Sequence, residues 1–200
     1  MANKDHSLDD KIIKAAREEF LSLGFEKASL RKMAEKAGVT IGAIYTRYKT
    51  KDELFSSICS PLIENISCAF SQIKKSYELA LTSPETGFLK AMKEENEAIL
   101  HLLFDDIELS TLLLFRARGS SLENFFDGII GKKIEETSEF LKFTGMNHPD
   151  EEALSIIIAS QFHMYPEIIK KGCSIEKAMI ITEELMHYHI AGCMALFSVK

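Results

Sequence analysis

Apolar residues recur at three- and four-residue spacing along most of the chain, and no period-two alternation of useful length interrupts them. Between Asp9 and Leu23, Ile12, Ile13, Ala16 and Phe20 share one helical face. Ser7 and two aspartates mark its start and Gly24 its stop, so an amphipathic helix is predicted. Ser29 precedes Leu30, Met33, Ala34 and Ala37 in a short helix that Gly38 ends, and Thr40 opens a third helix running to Tyr48. Thr50-Lys51-Asp52-Glu53 is a capping box, in which the threonine and glutamate side chains serve each other's free backbone N–H groups. Beyond Leu54 the pattern predicts helices near residues 51–80, 84–104, 106–118, 121–144, 150–171 and 174–197. Ser83-Pro84 and His148-Pro149 place proline in a first helical turn, where its missing N–H costs nothing. Ser120 and Glu123 stand at capping-box spacing, and Pro61 and Pro166 fall inside helical patterns as candidate kinks. The predicted fold class is all-α with about nine helices: an N-terminal three-helix bundle over residues 1–50 and a helical domain over residues 51–200.

Residues 30–48 read as helix, tight turn, helix, with a physical reason at each place. Ala34 and Ala37 allow a close crossing, Gly38 makes the turn, Val39 and Ile44 plug the crossing, and Gly42 leaves room for close approach. Charge supports a nucleic-acid role for this segment. The whole chain carries −6, yet residues 1–55 carry +2 and residues 56–200 carry −8. Within residues 26–51 seven basic side chains (Lys27, Arg31, Lys32, Lys36, Arg47, Lys49, Lys51) face two acidic ones, a local +5. No run of 18 apolar residues exists and the N-terminus is polar, so a cytoplasmic protein is expected. Cys59, Cys68, Cys173 and Cys193 form no CxxC pair and read as reduced, mostly buried thiols. Neither a cofactor motif nor a metal-ligand set is present in the sequence.

Gly24-Phe25, Met33-Ala34, Ala37-Gly38-Val39-Thr40, Gly42-Ala43-Ile44-Tyr45 and Lys51-Asp52-Glu53-Leu54 together resemble the N-terminal signature of the TetR family of transcriptional regulators, over residues 9–55. The resemblance implies a three-helix DNA-binding domain, a fourth helix leading to a regulatory domain, and a homodimer built from the last two helices. Carried over by position, it implies base contacts from Thr46 and Arg47, a thymine-methyl contact from Ala43, and phosphate contacts from Ser29, Thr40, Tyr45 and Lys51, with Arg31 on the same basic segment. Arg47 has an independent argument, since a guanidinium can pair guanine O6 and N7 together. The family often has histidine there, and phenylalanine where this chain has Tyr48.

Residues 84–171 are rich in phenylalanine and methionine, among them Phe88, Met92, Phe104, Phe115, Phe125, Phe162 and Met164. In TetR-like proteins such residues line a pocket for a small-molecule effector whose binding swings the DNA-binding heads apart; apolar residues at helical spacing are also what any core needs. His101 and Asp105, four apart, are candidates to orient an apolar or amphipathic ligand beside Phe104, Phe115, Phe125 and Phe162. His187 and His189 point in different directions on a helix and read as core or interface residues. Arg116 and Arg118 read as cations at a helix C-terminus. The last two helices carry more apolar surface than one chain covers, with Ile157, Leu185, Gly192 and Leu196 as the expected dimer contacts. Dimerisation would set two recognition helices about 34–36 Å apart for binding to double-stranded operator DNA. The expected function is a sequence-specific regulator, a repressor released by its effector. A DNA-organising or division-linked factor without an effector is the alternative. An enzyme using His101 and Asp105 lacks any nucleophile or phosphate motif.

Overall fold

The computed structural model describes the backbone of residues 6–80 and 84–197, and side chains outside 1–7, 74–86, 88, 89 and 198–200. The expected roles of Ser7, Ser83 and Phe88 therefore lie outside the described residues. The described residues are all-helical: α1 (His6–Lys27), α2 (Leu30–Ala37), α3 (Ile41–Arg47), α4 (Lys51–Ala80), α5 (Pro84–Asp105), α6 (Ile107–Phe115), α7 (Phe125–Thr144), α8 (Glu151–Lys170) and α9 (Ile175–Phe197). Three boundaries move from the sequence reading, one of them the end of α6, at Phe115 and not residue 118. The first helix does not end at Gly24; it turns there, with φ 75° and ψ 164°, and resumes to Lys27. α7 begins at Phe125 and not near residue 121, because the preceding residues close turns in which Glu123 N donates to Ser120 O (3.2 Å) and Phe125 N to Leu122 O (3.1 Å).

Contacts divide the chain into two compact units, Met1–Ile63 with Ile107–Phe125, and Glu64–Asp106 with Phe126–Lys200. This division does not coincide with a boundary at residue 50. In the first unit α1 packs on α2 and α6, and α2 on α3. Its core is an aromatic cluster: Phe20 meets Phe55 edge-on at 4.9 Å and Phe25 meets Phe55 at 5.3 Å, all three rings buried. Pro61 lies within α4 without ending it. The Ser57 carbonyl that a proline cannot serve accepts the Ser60 hydroxyl instead, at 3.1 Å.

In the second unit α9 packs on α5 and α8 around Leu100, Leu103, Leu154, Phe162 and Met186. Polar groups lie inside this core. Lys133 and Glu95 form an ion pair of 2.7 Å with side chains 9% and 1% exposed. The hydroxyl of Tyr165 donates to Asn96 Oδ1 at 2.9 Å. Burial first, and then the nearby Glu95 carboxylate, push the Tyr165 phenol well above its ordinary range, so it stays an O–H donor.

All four cysteines are free; two of them, Cys59 and Cys193, are buried, while Cys68 is exposed and Cys173 half-buried. Burial raises the Cys59 thiol to about 12 and the Cys193 thiol to about 11. Because only the thiolate is alkylated, iodoacetamide at neutral pH should modify Cys68 first and leave Cys59 and Cys193 unmodified until the protein is unfolded. Peptide mass mapping over time checks this order, and early labelling of Cys59 would contradict the packing.

Candidate nucleic-acid interface

α2 and α3 form the helix-turn-helix, and its turn is built as the spacing predicts. Gly38 adopts φ 67°, and its N–H and that of Val39 cap carbonyls of α2. Ile44 and Met33 are fully buried, Ala34 nearly so, and Val39 half-buried, so the crossing is plugged mainly by Ile44. Thr40 caps α3, accepting from Ala43 N at 3.2 Å. Two expectations about local geometry fail. Ser29 stands at the N-cap of α2 but makes no side-chain cap bond. A Cβ on Gly42 would meet nothing closer than Thr40 Oγ1 at 3.8 Å, an ordinary contact, so helix packing does not require glycine there.

The outer face of the motif presents Arg31, Thr40, Tyr45 (50% exposed) and Thr46 to solvent, with Ser29 and Ala43 half-buried beside them. Thr46 bonds back to Gly42 O at 2.9 Å, which leaves its lone pairs outward. Tyr48 is half-buried, as a ring at the edge of the core would be.

Three of the seven basic side chains turn inward. Arg47 Nε donates to Asp9 Oδ1 on α1, Nη1 lies 3.4 Å from Ala43 O, and both members of the ion pair are only 18% exposed. Lys36 pairs with Glu19 at 3.0 Å; Glu19 is 3% exposed and its Oε1 is buried with no partner. Lys51 has partners that the sequence reading did not foresee. Its ammonium donates to the carbonyls of Phe25 (2.7 Å), Glu26 (3.2 Å) and Ala28 (3.2 Å), and lies 4.5 Å from the Phe25 ring centre. An ammonium has three donors, and all are spent on the C-terminal end of α1, where cations are favoured by the helix dipole. Lys27, Arg31, Lys32 and Lys49 carry no ion pair among the described residues.

The carbonyls that Lys51 collects are available because Gly24 turns the chain. A left-handed φ with extended ψ frees Phe25 N to donate to Arg116 O at 2.8 Å, just past α6. Gly119 packs against Phe25 and Glu26, and Arg118 lies 4.0 Å from Glu26. Asp52 Oδ1 accepts from Ser121 N at 2.8 Å, and Arg17 pairs with Glu108 at 2.9 Å. The capping box of α4 closes with a shift of one residue: Glu53 N donates to Thr50 Oγ1 (3.0 Å), and Glu53 Oε2 accepts from Lys49 N (2.7 Å), not from Thr50 N. Asp9 and Glu19 are the contributors that sequence reading missed. Both looked like ordinary helix-surface acids.

Residues 12–58 match the family described as bacterial regulatory proteins, tetR family. This chain therefore carries an N-terminal segment of the TetR type at residues 12–58. The whole fold is similar to solved structures of that class. A TetR-like transcriptional regulator from Rhodococcus sp. RHA1 is 18% identical, with a TM-score of 0.64 over 92% of this chain and 96% of that one. The regulator FadR from Bacillus subtilis, solved in complex with stearoyl-CoA, is 17% identical with a TM-score of 0.58, over 92% and 98%. NalD, the secondary repressor of the MexAB-OprM multidrug efflux pump in Pseudomonas aeruginosa, is 20% identical with a TM-score of 0.53, over 94% and 97%. At these identities the likeness concerns the fold.

The expected pocket residues fall in both compact units. α5 continues through Asp105, so His101 and Asp105 share a face, and with Phe104 they border an open groove of about 660 Å³ beside Asn65, Cys68 and Ile175. Phe162 is 1% exposed in the core against Tyr165. Phe115 and Phe125 are half-buried residues of the first compact unit. Among the described residues no group of three or more His, Cys, Asp or Glu could hold a metal ion, and no helix is long and apolar enough to cross a membrane. Of the expected dimer residues, Ile157 and Leu185 are half-buried and Gly192 and Leu196 exposed, flanked by exposed Ile156 (68%) and Tyr188 (75%).

The Lys51 geometry makes a stability prediction. Lys51→Met keeps the aliphatic stem but removes three charge-assisted hydrogen bonds, and should lower unfolding free energy by about 1.5–3 kcal/mol. Thermal and urea unfolding followed by circular dichroism measure this. An unchanged midpoint together with a shallower salt dependence of DNA binding would instead restore Lys51 as a phosphate contact.

Proposed function

We propose that this regulator is a repressor that binds operator DNA as a homodimer and is released by an amphipathic small molecule held in the second compact unit. The observation that carries the DNA-binding part is the match over residues 12–58 together with an α3 whose outer face leaves Thr46, Tyr45 and the Ala43 methyl free. Thr46 and Ala43 meet base edges, while Ser29, Arg31, Thr40 and Tyr45 meet phosphates. The uncapped Ser29 hydroxyl has no internal duty that would compete with that role. Arg47 reaches a base with Nη2 while Asp9 keeps Nε and the Ala43 carbonyl holds Nη1, which orients the guanidinium instead of leaving it to search. Arg47→Ala should then lose about 1–3 kcal/mol of discrimination between operator and mutated operator. Equal weakening on both sequences in fluorescence anisotropy would reduce Arg47 to a clamp between α1 and α3.

The effector part draws support from two similar folds, FadR with stearoyl-CoA and the efflux-pump repressor NalD. The groove bordered by Phe104, Leu102 and Ile175, with His101, Asp105 and Gln72 as polar groups, suits an amphipathic ligand. Effector and operator favour different conformations, so each weakens the other by the same factor. Titrating an operator complex with acyl-CoA thioesters and apolar drugs tests this, and a compound that saturates the protein without altering operator affinity counts against it. Binding at hundreds of dispersed chromosomal sites would favour a DNA-organising role.

Ile181, Leu185, Tyr188, Gly192 and Leu196 recur along one face of α9, and Ile156 and Ile157 add to the uncovered apolar surface of α8. A second copy covers these residues in a two-fold helical interface. Leu185→Glu should give monomers with weakened operator binding. An unchanged mass in sedimentation would place the interface elsewhere.

A further inference from the structure

A second cleft of the second unit, between α5 and α9, has a different character from the groove described above. The two helices pack along each other, yet their facing side chains leave a space of about 200 Å³. Its floor is set by four buried residues, Asn96 and Leu100 from α5 and Thr182 and Met186 from α9.

The two polar floor residues have their internal bonds already assigned, which determines what each can still offer. Asn96 is 6% exposed, and its Oδ1 accepts the hydroxyl of Tyr165, a side chain 1% exposed and therefore fixed. The amide nitrogen consequently points away from Tyr165; it makes no hydrogen bond among the described residues, and Asn96 borders the cleft. A polar group so nearly enclosed carries a desolvation cost until something in the cleft accepts from it. Thr182, 1% exposed, spends its hydroxyl hydrogen on Ala178 O at 2.6 Å, so only its lone pairs remain. The floor thus offers a donor and an acceptor, set between Leu100 and Met186.

The rim decides the charge of the occupant. Glu97 and Glu183 stand against one ammonium, Lys93, with His101 and His187 beside them, so with neutral imidazoles an anion meets more like than unlike charge and would also face the Thr182 lone pairs. An ammonium ligand would meet the Asn96 N–H groups with no acceptor. A neutral group that both accepts and donates suits both floor residues, and the apolar walls suit a short hydrocarbon body.

We propose that the α5–α9 cleft is a binding site for a small neutral amphipath whose amide or alcohol group accepts from Asn96 and donates to Thr182. The site is independent of whether an effector releases this protein from DNA, because its occupancy is read without DNA.

The test uses the intact protein labelled with ¹³C at methionine methyls, since Met179 and Met186 both border the cleft. Benzamide and benzyl alcohol are titrated as neutral probes, with benzoate and benzylamine as charged counterparts. The neutral probes should shift the Met179 and Met186 resonances saturably while Met33 stays fixed, and the charged ones should bind at least severalfold more weakly. Thr182→Val removes the acceptor at constant shape and should weaken benzamide binding severalfold to about tenfold. Were that variant unfolded, the discrimination among the four probes by the wild-type protein would carry the test alone. Absence of saturable binding by the neutral probes, equal binding of benzoate or benzylamine, or full-strength benzamide binding by folded Thr182→Val overturns the proposal.

Discussion

The first compact unit depends on the turn at Gly24. A backbone with φ 75° and ψ 164° is open to glycine and strained for other residues, and it redirects the last residues of α1. Once turned, that segment exposes three carbonyls, which one ammonium from the start of α4 gathers, and frees one N–H, which reaches a carbonyl just past α6. Segments far apart in the chain are thereby joined through backbone groups. Such bonds constrain position more tightly than apolar contact alone, because hydrogen bonds have narrow angular tolerance. The Phe20, Phe25 and Phe55 rings supply the apolar burial beneath this junction.

The same unit shows how a basic segment divides its charge between folding and ligand attraction. Lys36, Arg47 and Lys51 neutralise Glu19, Asp9 and the end of α1, so their charges are largely compensated inside the fold. Lys27, Arg31, Lys32 and Lys49 keep their charges outside any ion pair among the described residues. Pairing Glu19 also has a structural cause. A carboxylate that is 3% exposed would be costly without a cation beside it.

In the second unit, polar groups are embedded among apolar ones. Glu95 with Lys133, and Asn96 with Tyr165, link α5 to α7 and α8 through groups whose desolvation is offset by bonding inside the core. Such pairs specify which helix faces meet, because a slip in register would strand a charge or a hydroxyl. Fixing Asn96 from one side also leaves its amide nitrogen with a defined direction on the other.

The sequence by itself determined the helical elements, the helix-turn-helix and the likeness of its N-terminal segment to the TetR family. Those rest on local features: three- and four-residue periodicity, caps, a glycine with left-handed φ and the spacing of residues along one helix. Helix starts and stops of α2, α3, α4, α8 and α9 were legible for that reason, as were the buried positions of Ile44 and Met33. Where a side chain finds its partner was not legible. Asp9 and Arg47 lie 38 residues apart, Lys51 and Phe25 lie 26 apart, and Glu95 and Lys133 belong to different helices. Any of these charges looks solvated when read along its own helix. The tertiary structure alone decided that Lys51 holds α1 and that Phe162 belongs to the core, because long-range pairing depends on how helix faces meet, which periodicity within one helix does not encode.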